Sequence, residues 1–172
     1  MKFKPFDVKK YDFIGESAYV AAVDDIREYL SFLDDSDYAY DMAISEAVLN
    51  AAQNSVDGLS AAKIHIDIRH TQYDIITKVS CKTKPFDMMA YREQLRGIAS
   101  RPEYANADWT DYTGNADTSR GIWYMLLGTE YLYMDCYAQS ICLCNRNPCI
   151  KGRETKKMRD LLMRFFVEKD GA

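Results

Sequence analysis

Glu46, Asn50 and Asn54 recur at every fourth position of the segment ISEAVLNAAQN, with Gln53 beside them. On a helix, residues four apart lie one above the other, so these polar groups form a single stripe. Ile44, Val48, Leu49, Ala51 and Ala52 occupy the remaining surface. A carboxylate can orient or deprotonate a nucleophile, and a carboxamide one turn away can coordinate Mg²⁺ held between phosphates. A solvated face on a core helix has the same appearance, so the stripe alone leaves both readings open.

A second candidate lies at Ser119-Arg120-Gly121, ahead of the apolar run IWYMLL. A helix that starts there presents free amides and the positive end of its dipole. Gly121 permits close approach of a phosphate and Arg120 adds charge. An ordinary helix start with a solvated arginine is the equal alternative. Lys82 and Lys84 lie in the segment KTKPFD and read as solvated loop lysines rather than phosphate ligands. Tyr104, Trp109 and Tyr112 could stack on a base, although such aromatics more often pin a loop to a core. Cys142 and Cys144 alternate along one stretch, with Cys149 beyond it, and read as small hydrophobes rather than metal ligands. His65 and His70 lie far upstream, with no spacing that pairs either with a cysteine. Neither a metal–thiolate site nor thiol catalysis is assigned.

These groups need elements to position them. A strand is expected around Tyr11 to Ile14. Ser17 can cap a helix whose apolar face carries Tyr19, Val23, Ile26, Leu30 and Leu33. The polar stripe belongs to a second helix from about Tyr38 to Asn54. The runs Ala62 to Arg69 and Tyr73 to Ser80 alternate as strands and form a hairpin across HTQ. A helix follows from Met88 to Ala99, then a long aperiodic segment from Ser100 to Thr118 of the kind that carries function or moves. After the helix opened by Ser119-Arg120-Gly121 come strands Tyr131 to Tyr137 and Gln139 to Cys144. The tail holds Met158, Leu161, Leu162, Phe165 and Phe166 at helical spacing, opposite Lys156, Lys157, Arg159 and Arg164. The expected organisation is therefore a domain over 1–150 and an amphipathic basic C-terminal helix over 151–172, docked on that domain or on a partner. Helices and hairpins in this order imply a mixed, mostly antiparallel sheet with helices on one face, an α/β two-layer sandwich.

The segment SEAVLNAAQN resembles the conserved helix of the GHKL (Bergerat-fold) ATPases, in the form found in anti-sigma-factor serine kinases. Agreement runs in order over roughly residues 10–145, which makes it more specific than any single motif. Glu46 and Asn50 match, while Asn54 stands where the family commonly has a histidine. After the hairpin the family carries D-x-G-x-G-F-D. Here Cys81, Thr83 and Pro85 replace the aspartate and both glycines, while Phe86 and Asp87 keep the last two positions. Beyond the lid the family has Gly-Arg-Gly-Leu, and Ser119, Arg120, Gly121 and Ile122 occupy those positions. The resemblance implies ATP or ADP with Mg²⁺ as cofactor, Glu46 as base toward a substrate serine and Asn50 on the metal. It places Asn54, Cys81, Thr83, Pro85, Ser119, Arg120 and Gly121 around the nucleotide.

It also implies a partner, a sigma factor or an anti-anti-sigma-like antagonist protein, and a possible homodimer. The family's aspartate accepts a hydrogen bond from the adenine amino group, and a cysteine sulfur is a far weaker acceptor. That loss is worth about 1–3 kcal/mol, or roughly 5- to 150-fold in affinity. A catalytically dead partner-switching module is therefore the alternative to a serine kinase. A detached sensor-kinase domain fits less well, because the chain has no dimerising helix pair with a phospho-acceptor histidine.

At 172 residues and 48% hydrophobic content, the chain is the size of one domain with a core of its own. Residues 1–150 hold 15 Lys and Arg against 22 Asp and Glu, while 151–172 hold 7 against 4. An acidic body argues against direct nucleic-acid binding, which needs a concentrated basic face. The first 22 residues hold no signal-like apolar run, and no stretch is long enough to span a bilayer. Five cysteines without scaffold spacing fit reduced thiols. Together these features lead to the expectation of a cytoplasmic protein.

Overall fold

Ile64, Ile66 and Ile68 alternate with Lys63, His65 and Asp67, and all three isoleucines are buried while their neighbours are not. This is the burial of a strand whose one face meets a core and whose other face is polar. The computed structural model describes residues 7–33, 38–71, 73–104, 106–109, 120–146 and 157–168. In chain order the elements are β1 (Asp7–Ile14), α1 (Glu16–Leu33), α2 (Tyr38–Gln53), β2 (Lys63–His70), β3 (Asp74–Cys81) and α3 (Met88–Ala99). A single 3-10 turn, Pro102–Tyr104, follows α3. Next come α4 (Arg120–Gly128), β4 (Tyr131–Asp135), β5 (Ser140–Arg146), α5 (Met158–Leu162) and β6 (Phe165–Glu168).

The six strands form one sheet in the order β1-β2-β3-β5-β4-β6, antiparallel throughout except for the parallel pair β4 and β6. Among the described residues the architecture is α/β, a mostly antiparallel sheet with five helices. α2 packs on β2, β3 and β5 and against α4, and its Ala43, Ile44, Ala47, Val48 and Ala51 are buried in the core. α1 adds Tyr19, Ile26 and Leu30 to the same core, as its spacing predicts. Tyr40 crosses the layers, its hydroxyl 2.8 Å from Thr77 Oγ1 and donating to the Leu143 carbonyl at 3.3 Å.

α4 lies directly on α2, and glycine decides how closely. A Cβ added to Gly128 would stand 2.0 Å from the Ala39 carbonyl oxygen and 2.7 Å from the Ala43 Cβ, so the two backbones approach as only glycine allows. The end of α4 is then closed by side chains. Asn145 donates from Nδ2 to the Gly128 carbonyl at 3.0 Å and accepts from the Glu130 amide at 2.8 Å. Arg164 donates to the Thr129 carbonyl at 3.1 Å. The bonds to the Gly128 and Thr129 carbonyls satisfy acceptors at the helix end, while the Glu130 amide also donates to the Cys144 carbonyl at 2.9 Å.

The C-terminal segment departs from the expected amphipathic helix over 151–172. Among its described residues helix covers Met158–Leu162, the chain turns at Met163-Arg164, and Phe165–Glu168 joins the sheet beside β4. Residues 151–156 and 169–172 fall outside the described residues. Phe165 is completely buried, and Arg92 of α3 donates to its carbonyl at 2.7 Å, so an outward-facing acceptor on this edge strand is occupied. The same segment holds residues 106–108: the Met158 amide donates to the Ala107 carbonyl at 3.3 Å, and Lys157 Nζ donates to Asn106 Oδ1 at 3.3 Å. The cause is local. Leu161, Leu162, Phe165 and Phe166 satisfy helical spacing, but β4 offers an unpaired edge whose ladder the last of them complete.

Among the described residues, no helix is long and apolar enough to cross a membrane.

Candidate nucleotide cleft

The polar stripe of α2 forms one wall of a cleft of about 770 Å³, bounded also by Thr83, Lys84 and Phe86, the start of α3 and the start of α4. Glu46, Asn50, Gln53 and Asn54 line it, as do Arg120 and Gly121 from α4. The two candidate sites read from the sequence therefore face one another. The antiparallel packing of α4 on α2 brings this about, since Gly128 meets Ala39 at one end while Gly121 meets Glu46 at the other.

Glu46 is half-buried, and burial alone pushes its carboxyl above the ordinary carboxylate range. A Cβ at Gly121 would lie 3.5 Å from Glu46 Oε2, so the helix start stands at van der Waals distance from the carboxylate. A carboxyl whose folded pKa is raised stabilises the fold below its unfolded pKa, and that contribution disappears as pH rises through the folded value. At neutral pH the ionised Glu46 is therefore a cost. Glu46→Gln is expected to raise the melting temperature at pH 7, with the advantage vanishing toward about pH 4, where the unfolded carboxyl also protonates. Equal effects of the substitution at both pH values would contradict this.

Asn50 and Asn54 act as a unit. Asn54 Nδ2 donates to both the backbone carbonyl and the Oδ1 of Asn50, each at 2.8 Å. The second bond fixes the Asn50 side chain with its oxygen as acceptor, and Oδ1 keeps a further lone pair for a cation. Asn54 lines the cleft and also orients its neighbour. Among the described residues no group of three or more His, Cys, Asp or Glu side chains gathers as a metal site. A cation here would share Asn50 with ligand oxygens and water, which is the way Mg²⁺ is commonly held.

Residues 82–84 are tied to the chain that leaves α2. The Val56 amide donates to the Lys82 carbonyl at 3.0 Å and the Lys84 amide to the Asn54 carbonyl at 2.8 Å, around a bridge between Ser55 and Thr83. Thr83 lines the cleft, and its hydroxyl donates toward the Tyr137 and Ala138 carbonyls at 3.2 and 3.4 Å. Lys84 lines it as well. Cys81 does not. It continues the inward row Ile75, Thr77 and Val79 of β3 and is buried in the core. Pro85 is exposed and forms no part of the lining. Ser119 lies outside the described residues, as do Tyr112 and Cys149. Trp109 is fully buried, and neither it nor Tyr104 reaches the cleft.

The apolar wall was not legible as a site. Phe86, Met88, Tyr91, Ile122 and Ile141 supply it, with Phe86 and Tyr91 in edge-to-face contact at 5.6 Å between centroids. Asp87 gave the available signal. Its Oδ1 accepts from the Ala90 amide at 2.9 Å, which makes it the N-cap of α3 and fixes where Phe86 enters the cleft. Cys142 and Cys144 lie on β5 away from the cleft, and burial pushes both thiols up, Cys144 to about 12. Such thiols hold their protons and are poor nucleophiles at neutral pH.

No protein-family model and no curated protein matches this chain.

Proposed function

We propose that this chain is a nucleotide-binding regulatory domain of the Bergerat type, a two-layer sandwich akin to the anti-sigma-factor serine kinases, acting in the cytoplasm on a sigma factor or an antagonist protein. The observation that carries the reading is the convergence of Glu46 and the Asn50–Asn54 pair with Arg120 and Gly121 on one cleft of about 770 Å³. That volume suits a ligand of nucleotide size. Asn50 would hold Mg²⁺, and Arg120 with the amides at the α4 start would hold phosphate oxygens. Bound Mg²⁺ would neutralise phosphate charge. Glu46, its proton affinity raised by burial, would accept the proton of a partner's serine hydroxyl.

The test is thermal unfolding with ATP or ADP, with and without Mg²⁺. Nucleotide at 100 times its Kd adds about 2.7 kcal/mol, a shift of roughly 5–11 °C for a chain of this size. Asn50→Ala is expected to leave a shift that no longer depends on Mg²⁺. An unchanged melting temperature at millimolar nucleotide would refute the proposal. A second reading, a binding module without phosphoryl transfer, is favoured by the absence of Cys81 and Pro85 from the cleft lining. Glu46→Gln separates the two. A kinase loses transfer to a partner's serine while still binding nucleotide, whereas a binding module has no transfer to lose.

A further inference from the structure

We infer that two copies of this chain join through β1, edge to edge and antiparallel, with Tyr11 on the two-fold axis. Among the described residues β1 ends the sheet, with β2 on one side of it and no strand on the other. A strand so placed carries a row of open amides and carbonyls that can template pairing with another chain. The opposite end of the sheet differs, since Arg92 of α3 already occupies an outward acceptor of β6.

The hydrogen-bond phase decides which residues face the open edge. The Gly15 amide donates to the Ala62 carbonyl at 2.9 Å. Main-chain groups alternate sides along an antiparallel strand, so residues 9, 11 and 13 turn theirs toward β2, while Val8, Lys10, Asp12 and Ile14 turn theirs outward. The side chains of those four are all exposed, on the face of the sheet opposite Tyr11 and Phe13, which pack on the core. Val8 and Ile14 are 39% and 67% exposed although apolar.

Outward residues can only oppose outward residues, so the possible registers differ in steps, and charge chooses among them. With Lys10 on the axis two lysines oppose each other, and with Asp12 on the axis two aspartates do. With Tyr11 on the axis, Lys10 of each copy meets Asp12 of the other and Val8 meets Ile14, every pair occurring twice by symmetry. An edge lysine keeps strands apart by meeting like charge or bare backbone. Here its opposite lies two positions along the same strand, and the two-fold brings them together. Lys10 and Asp12 keep their neighbours in the chain, Asp67 at 3.9 Å and His65, so the new contacts extend an existing ion-pair row. On the other face the charge of Lys9 is matched by Asp25 at 3.0 Å.

Sedimentation equilibrium of the full chain, from micromolar to submillimolar concentration, tests this, and a monomer–dimer equilibrium is expected. Lys10→Asp sets like charges opposite each other at both symmetric positions and is expected to weaken dimerisation by at least about tenfold, as is Asp12→Lys. Combining Lys10→Asp with Asp12→Lys exchanges the charges and restores opposite pairs, so the dimer should return to within about threefold of wild type. Circular dichroism confirms that each variant is folded. A chain that stays monomeric throughout overturns the inference and leaves the edge to a strand of another protein. A dimer that either single reversal leaves intact, or that the exchange fails to restore, overturns it as well. Neither readout involves nucleotide, so the proposed function stands or falls separately.

Discussion

Gly128→Ala is expected to cost more than about 3 kcal/mol, enough to lower the melting temperature by at least roughly 6–12 °C. The added Cβ would stand 2.0 Å from the Ala39 oxygen and 2.7 Å from its carbonyl carbon. Those are backbone atoms of α2, so no side-chain rotation relieves the clash, and α4 must move off α2 as a unit. The displacement also separates Gly121 from Glu46, so the proposed nucleotide binding should fall with stability. Gly97→Ala is the control. It lies inside α3, where an added Cβ meets nothing within 4 Å. Replacing a mid-helix glycine there should stabilise by about 0.5–1 kcal/mol. Chemical denaturation of the two variants measures both, and similar effects would show that helix propensity rather than close packing governs Gly128.

Phe165→Ala is expected to cost about 3–5 kcal/mol, the range for removing a fully buried phenylalanine. Phe166→Ala should cost far less, about 0.5–1.5 kcal/mol, because Phe166 is half-exposed and its described ring contacts are Tyr133 at 5.0 Å and Tyr131 at 6.2 Å. The contrast distinguishes a strand from a helix. With β6 paired to β4, adjacent residues point to opposite faces of the sheet, so one phenylalanine enters the core and the next does not. On the amphipathic helix that the spacing suggests, both would lie on the docked stripe and both substitutions would be severe. Denaturant midpoints and slopes for the pair decide between them. A large effect of Phe165→Ala would also establish that the tail is part of the domain's core.

These expectations trace where the sequence was informative. The α2 stripe was readable because Glu46, Asn50 and Asn54 lie at separations of four, a signal carried within one helix. The hairpin of β2 and β3 was readable from alternation across a short turn, and α3 runs over the expected Met88–Ala99. The roles within the stripe were less accessible. Asn54 lines the cleft and also bonds Asn50, a pairing fixed by rotamers that spacing does not specify. Cys81 was assigned to the cleft by its position in a motif, yet the pleat of β3 turns it into the core beside Val79, and Thr83 faces the cleft only after the strand has ended.

By itself, then, the sequence determined the local elements, the polar stripe and the α/β class, because each depends on residues two to four positions apart. Tertiary structure alone decided that Gly121 meets Glu46, that Phe86 and Tyr91 wall the cleft, and that Phe165 pairs with Leu132 in a parallel edge strand. Those contacts join segments far apart in the chain. Their geometry follows from how closely backbones approach, as at Gly128 and Ala39, and from which sheet edge is left unpaired, and neither quantity is written in the periodicity of any one element.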